Sequence, residues 1–207
     1  MMEVKVKFVN YKEKWNDLEV VKQNHELPRA FLQRFTKIKN KKIKLSSLAG
    51  MLLLIEVLEE ENLLHILDSY ALKSKGKPYF ENQKFWFNLS HSRDMVAIAW
   101  SLHGKVGLDV QESRSIYPGV KPKIMHEAEM NHARYQEEDY FFECWTKKEA
   151  VVKMTGEGLS AGIHKIDSNI DNGDINGCVY FVKNFYIAPT YFGAVAAENE
   201  FDLLIKN

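Results

Sequence analysis

KFWFNLSHSRDMVAIAWS (84–101) is the stretch on which the fold turns. Its two apolar runs, KFWF (84–87) and MVAIAWS (95–101), read as strands. Between them FNLSHS (87–92) reads as a connection that lifts Asn88, Ser90, His91 and Ser92 to the end of a sheet. A turn chosen for backbone reasons alone draws on Gly, Pro, Asn or Asp. Here most of the polar groups are donors suited to an anion, so the stretch is either a plain turn or a grip for phosphate.

Working outward, residues 2–9 alternate as a strand does. Residues 29–44 hold Arg29, Arg34, Lys37, Lys39, Lys41, Lys42 and Lys44 with no acid. SSLAGMLLLIEVLEEENLLHILDSY (46–70) repeats apolar residues at three- and four-residue steps and predicts a helix, with Ser46 or Ser47 as N-cap. KSKGKPYFENQ (73–83) is a Lys- and Gly-rich loop. SLHGK (101–105) reads as a hairpin connection and KVGLDVQES (105–113) as a further strand. After an irregular segment and a helical pattern at 123–135, EEDYFFECWTKKEAVVKMTGEGL (137–159) predicts a long helix that stops at its glycines. Turns at 171–178 and two more strands follow. Each half thus has strands and one long helix, an α+β pattern divided near residues 103–105 into 1–103 and 104–207.

With 207 residues the chain can bury a sizeable core, and 45% hydrophobic with 27% charged residues is ordinary for a globular protein. Lys plus Arg and Asp plus Glu are both 28, so no global field draws the chain to nucleic acid or anionic lipid, and a polyanion site has to be local. Cys144 and Cys178 suit a reducing compartment. The N-terminus lacks the apolar core of a signal peptide, and MLLLIEVL (51–58) is too short to span a bilayer. The expectation is a cytoplasmic protein.

Several residues could carry chemistry. On a strand, Asp109 and Gln111 share the face opposite Leu108 and Val110. Asp109 is either a solvated edge residue or a ligand for magnesium, which takes oxygen ligands and leaves room for phosphate. On a helix Trp145, Glu149 and Lys153 lie along one face. The last two are either a surface ion pair, worth about 0.3–0.5 kcal/mol, or a base or metal ligand beside a cation placed for phosphoryl charge. The lysines of 29–44 are a solvated face, a grip for a multiply phosphorylated ligand, or a nucleic-acid surface, although only Phe31 and Phe35 interleave them. HEAEMNH (126–132) is not a zinc helix. Met130 stands where the second histidine belongs, and His126 and His132 are about 120° from sharing a face.

Taken together, GKP (76–78), FNLSHS (87–92), VGLDVQE (106–112) and FFECWTKKEAVVKMTGEGL (141–159) resemble, in order and spacing, the motif series of the 4′-phosphopantetheinyl transferases. The likeness is to the longer, surfactin-synthetase-activating type. It implies two similar α+β subdomains related by a pseudo-twofold axis, coenzyme A in the cleft between them, and a carrier protein docked across it. The implied activity is transfer of the phosphopantetheine arm from coenzyme A to a carrier serine, with release of adenosine 3′,5′-bisphosphate. On that likeness Lys77, Ser90 and His91 match positions that touch coenzyme A. Asp109 matches a magnesium ligand, and Glu149 and Lys153 match the acid and the lysine of the catalytic helix. Two departures stand out. Gln111 replaces a frequent glutamate, leaving the metal set Asp109, Glu149 and Gln111 one charge poorer. Ser46 replaces an arginine, so that Lys44, Arg34 or Lys37 would hold the 3′-phosphate. The expected partners are coenzyme A and an acyl or peptidyl carrier protein of fatty-acid, polyketide or nonribosomal-peptide synthesis, with no nucleic acid and no membrane, and the chain is expected to be a monomer. The competing readings are a carrier- or coenzyme-A-binding module that has lost turnover, and a nucleic-acid binder built on the 29–44 lysines.

Overall fold

The computed structural model describes residues 1–15, 26–156, 158 and 162–206. In chain order the elements are β1 (Met2–Asn10), α1 (Tyr11–Lys14), α2 (Arg29–Phe35), α3 (Lys41–Glu60), β2 (Tyr70–Leu72), β3 (Pro78–Phe80), β4 (Trp86–Ser92), β5 (Met95–Ser101), β6 (Val106–Glu112), α4 (Lys121–Ile124), α5 (Glu127–Met130), α6 (Glu138–Thr155), β7 (Asn172–Ile175), β8 (Cys178–Ala188), β9 (Tyr191–Ala197) and β10 (Phe201–Lys206). This is an α+β fold. One four-stranded sheet has the order β10-β1-β5-β4, a second has β6-β9-β8-β7, and β2 pairs with β3 in a small hairpin.

The alternation of side chains explains the layering. On β5, Val96, Ile98 and Trp100 join a core with α2 and α3, whereas Ala97 and Ala99 turn to the other face. There they meet Val4 and Val6 of β1, Leu108 and Val110 of β6 and Val195 of β9, so the two sheets pack on each other. Ala194 and Ala196 face outward again, onto Ala150, Val151 and Met154 of α6. The result is four layers, helix–sheet–sheet–helix, which accounts for strands such as MVAIAWS being apolar throughout. The outer face of β1 is charged but covered. Lys7 reaches Glu56 at 2.7 Å and Glu60 at 2.5 Å, and Lys5 reaches Glu61 at 2.8 Å, all on α3.

Four expectations are corrected. FNLSHS is not a connection but the body of strand β4, and only Arg93 and Asp94 turn the chain into β5. Helix α3 starts inside the lysine-rich segment. Asn40 caps it by accepting from the Ile43 N–H at 3.1 Å, which displaces Ser46 and Ser47 as caps, and the helix ends at Glu60, ahead of a 3₁₀ turn at Leu64–Ser69. SLHGK is not a hairpin, because β5 pairs with β1 and β4 whereas β6 pairs with β9; it is the crossing from one sheet to the other. The pattern at 123–135 forms only short helical turns. The long helix α6 does stop at a left-handed glycine, Gly156 (φ 79°), while residues 157 and 159 of its expected end lie outside the described residues.

Candidate active site

The site lies where the two sheets meet. β4 and β6 are edge strands of different sheets, and each presents a row of backbone groups that needs partners. Side chains of β4 supply them. Asn88 Oδ1 accepts from the Leu108 N–H at 2.9 Å, Ser90 Oγ from the Val110 N–H at 3.2 Å, and Ser92 Oγ from the Glu112 N–H at 3.0 Å. Both strands step by two residues, so the three rungs share one face of β4, and all three side chains are buried. The alternate residues Leu89 and His91 point away from the seam, with Leu89 packed against the α3 core.

On β6, Leu108 and Val110 enter the inter-sheet core and leave Gly107 and Asp109 facing α6. The helix lies so close at Gly107 that a Cβ there would overlap the backbone of Ala150 and Met154. This contact sets the height of the helix over the strand and brings the residues of WTKKEAVVK to Asp109. Lys153 Nζ lies 2.6 Å from Asp109 Oδ1 and 3.0 Å from Ser90 Oγ, and Ser90 donates to the same Oδ1 at 3.0 Å. Glu149 and Lys153 therefore do not form the four-apart surface pair, since the lysine's ion pair crosses to the strand. Asp109 Oδ2 and Glu149 Oε1 are both buried without a hydrogen-bond partner. Burial, then the Asp109 charge, with Lys153 opposing, push the Glu149 carboxyl up to about 7.

A cleft of about 440 Å³ opens from this point between α3 and α6. Ser90, His91, Glu149 and Lys153 line it, together with Arg34 and the loop carrying Lys75, Gly76 and Lys77. His91 is exposed on one side, yet crowding by protein first and the Lys153 ammonium second hold its imidazole below the usual range, with Asp109 pulling the other way. Lys77 is turned to the helix end. Its ammonium donates to the carbonyls of Lys153 at 2.5 Å and Met154 at 3.4 Å. Burial, then the charges of Lys73, Lys105 and Lys153, push it down to about 8. Arg34 donates to the Gly76 carbonyl at 2.7 Å, tying α2 to the same loop.

Of the residues read from the sequence, Lys77, Ser90, His91, Glu149, Lys153 and Arg34 thus meet at the cleft, with Asp109 just behind Ser90 and Lys153. Gln111 is half-buried, two residues further along the face of β6 that bears Asp109. Lys37 and Lys44 are not among the cleft's lining residues; the Lys44 ammonium sits 4.9 Å over the Phe35 ring, and Ser46 and Ser47 line the wall instead. Sequence reasoning missed the seam role of Asn88, Ser90 and Ser92, and it missed Lys148. That lysine is fully buried and bonds Glu129 Oε2 at 3.0 Å and the Ile166 carbonyl at 2.6 Å. The alternation N-x-S-x-S on an edge strand was the signal for the seam; nothing distinguished Lys148 from Lys147.

The two orphaned carboxylate oxygens are an acceptor pair that a small hard cation would satisfy, and oxygen-only donors are what magnesium takes. Among the described residues no three His, Cys, Asp or Glu side chains converge on one point. The expected set of two carboxylates and an amide does not require that, and the residues present fit the ion.

Fold and site together define a class: an α+β protein with a basic cleft along the seam of two sheets and a carboxylate pair at its end. Residues 105–198 match the family model of the 4′-phosphopantetheinyl transferase superfamily. The chain is similar to three curated transferases. It is 31% identical over 106 residues to 4′-phosphopantetheinyl transferase psf-1 of Bacillus pumilus (49% of this chain, 45% of the relative). It is 34% identical over 149 residues to gsp of Aneurinibacillus migulanus (66% and 60%) and 35% identical over 133 residues to AcpT of Salmonella typhimurium (60% and 65%). The chain is similar to this superfamily over residues 105–198. It spans about half to two thirds of the length of these relatives.

Proposed function

We propose that the chain transfers the 4′-phosphopantetheine arm of coenzyme A to a serine of an acyl or peptidyl carrier protein. The observation that carries this is the pair Asp109 and Glu149, each with a buried oxygen that has no partner, with the Lys153 ammonium on Asp109, at the end of a cleft with a basic wall. The relatives' names support the same activity.

In this reading coenzyme A lies along the cleft. Arg34 and His91 bind its phosphates, joined by whichever N–H of Lys77 the helix carbonyls leave over. Lys37 and Lys44 could reach a 3′-phosphate only from outside the described cleft lining. The carrier serine forms a new bond to the β-phosphorus, and the bond from that phosphorus to the oxygen bridging to the adenosine bisphosphate breaks. Glu149 accepts the serine's proton. Lys153 lies beside the reacting phosphate and offsets the charge that builds on its oxygens. Ser90 and Lys153 hold Asp109 in place. Asp109 and Glu149, with the amide oxygen of Gln111, would hold magnesium, which would neutralise diphosphate charge.

The test is direct. An apo carrier protein incubated with the chain, coenzyme A and magnesium should gain the mass of one phosphopantetheine arm. Carriers that bind the chain but never gain that mass, across a panel from different pathways, would leave a binding module in place of the transferase. Salt-sensitive oligonucleotide binding without coenzyme A binding would move the reading to nucleic acid.

A further inference from the structure

We propose that the Tyr70 hydroxyl is a ligand contact: beside Arg34, it donates to the phosphate monoester of coenzyme A on the wall of the cleft that faces α6. The ligand's identity rests on the transferase reading; the unused donor in the cleft does not. Tyr70 opens β2 and is only 9% exposed. Its ring has an apolar place of its own, edge-on to Phe80 at 6.0 Å and within the core cluster that holds Phe31, Phe35 and Phe87. A phenylalanine would fill that place equally well, so packing does not account for the oxygen. Buried tyrosine hydroxyls ordinarily find a partner, yet this one makes no hydrogen bond to the described residues. It is not sealed in either. The side-chain oxygens sealed without a partner among the described residues are Asp109 Oδ2, Glu149 Oε1 and Ser168 Oγ. The open space left to the Tyr70 oxygen is the cleft that this residue lines.

Burial pushes the phenol up to about 12, with the Arg34 charge opposing, so at neutral pH it is an uncharged donor near that guanidinium. Arg34 spends one N–H on the Gly76 carbonyl and has others to give. Glu149 and Lys153 reach the cleft from α6, whereas Tyr70, Arg34, Ser46 and Ser47 reach it from β2, α2 and α3. Coenzyme A carries anionic charge in two places, a diphosphate and a separate monoester on the ribose. The diphosphate belongs with the carboxylates and their cation, which leaves the monoester for the opposite wall. Of the three cations the sequence offers for it, only Arg34 lines the cleft, and Tyr70 adds a second, neutral donor.

The test compares Tyr70→Phe with wild type by calorimetric titration, with magnesium present, of coenzyme A and of dephospho-coenzyme A, which lacks the monoester. Loss of one hydrogen bond to a charged oxygen should weaken coenzyme A binding about tenfold. Dephospho-coenzyme A should bind the two proteins within about twofold of each other. Without ligand, Tyr70→Phe should melt at the same temperature or higher, because it removes an unpaired buried hydroxyl. Equal affinity of both proteins for coenzyme A would overturn the contact, and an equal loss for both ligands would overturn the monoester as its target. A lower Tm in Tyr70→Phe would mean that the protein itself pairs the hydroxyl, and would overturn the premise. A wild-type chain that binds no coenzyme A ends the proposal together with the transferase reading. One that binds it but modifies no carrier ends the transferase reading alone, and the phenylalanine comparison still decides the contact.

Discussion

At the scale of single residues the site depends on two carboxylates, each with one buried oxygen that has no hydrogen-bond partner. Asp109→Ala removes an acceptor that Ser90 and Lys153 both use, and should abolish turnover, by about a hundredfold or more in a carrier-modification assay. Near-normal activity would remove Asp109 from the chemistry. Glu149→Gln should cost more than tenfold, well beyond what a surface ion pair of about 0.3–0.5 kcal/mol could account for. The pH behaviour follows from the same carboxyl. In the folded metal-free chain Glu149 keeps its proton up to about 7, raised from the ordinary 4.5 that the unfolded chain retains. Protonation therefore stabilises the fold fully below about 4.5 and its contribution is lost as pH rises through about 7. Thermal unfolding without metal should show Tm falling across that window, Glu149→Gln should flatten the fall, and a divalent cation should oppose it at high pH. A Tm slope identical in wild type and Glu149→Gln would contradict the assignment.

At the scale of elements, α6 is held by contacts that the motif does not announce. Gly107 lets the helix touch β6, and Gly107→Ala would force strand and helix apart, costing stability and activity together. At the other side of the helix Lys148 and Glu129 form an ion pair with no solvent exposure, and Glu129 also accepts from the His126 and Ser168 N–H groups. Replacing Glu129 with Leu leaves the ammonium buried and unpaired and should cost about 3–5 kcal/mol in denaturant unfolding, whereas a surface pair would cost under about 1 kcal/mol. HEAEMNH thus has a use that spacing could not reveal. His126 Nδ1 accepts from the Ala128 N–H and caps α5, and Glu129 is the buried anion. Periodicity made α6 and its glycine stop legible, because an amphipathic run ending in G-x-G has few other foldings. It misplaced the start of α3, since lysines are tolerated in a helix and Asn40, six residues before Ser46, had the better capping side chain.

At the scale of the whole molecule, the division at 103–104 is a proposal that the last strand crosses. β10 pairs in parallel with β1, and Phe201 is fully buried in the core shared by both sheets. Deleting residues 201–207 should bare the β1 edge and lower Tm measurably; an unchanged Tm would mean the strand is dispensable. The motifs of this chain named residues that the fold brings to one cleft, Ser90, His91, Glu149 and Lys153 among them, because each stands in a short run of distinctive polar residues. The seam stayed hidden, because a ladder between two sheets depends on which strands become edges, and that is settled by long-range pairing. Lys37 and Lys44 illustrate the limit, since a basic run says nothing of which lysines face a cleft.

The central claim is that Asp109 on β6 and Glu149 on α6 jointly hold a divalent cation at the end of the coenzyme A cleft. Manganese titrated into the chain with coenzyme A present, followed by electron paramagnetic resonance, tests it most directly. One bound ion per chain, lost in Asp109→Ala and weakened in Glu149→Gln, is the predicted result. Binding of equal strength in wild type and both variants would contradict it.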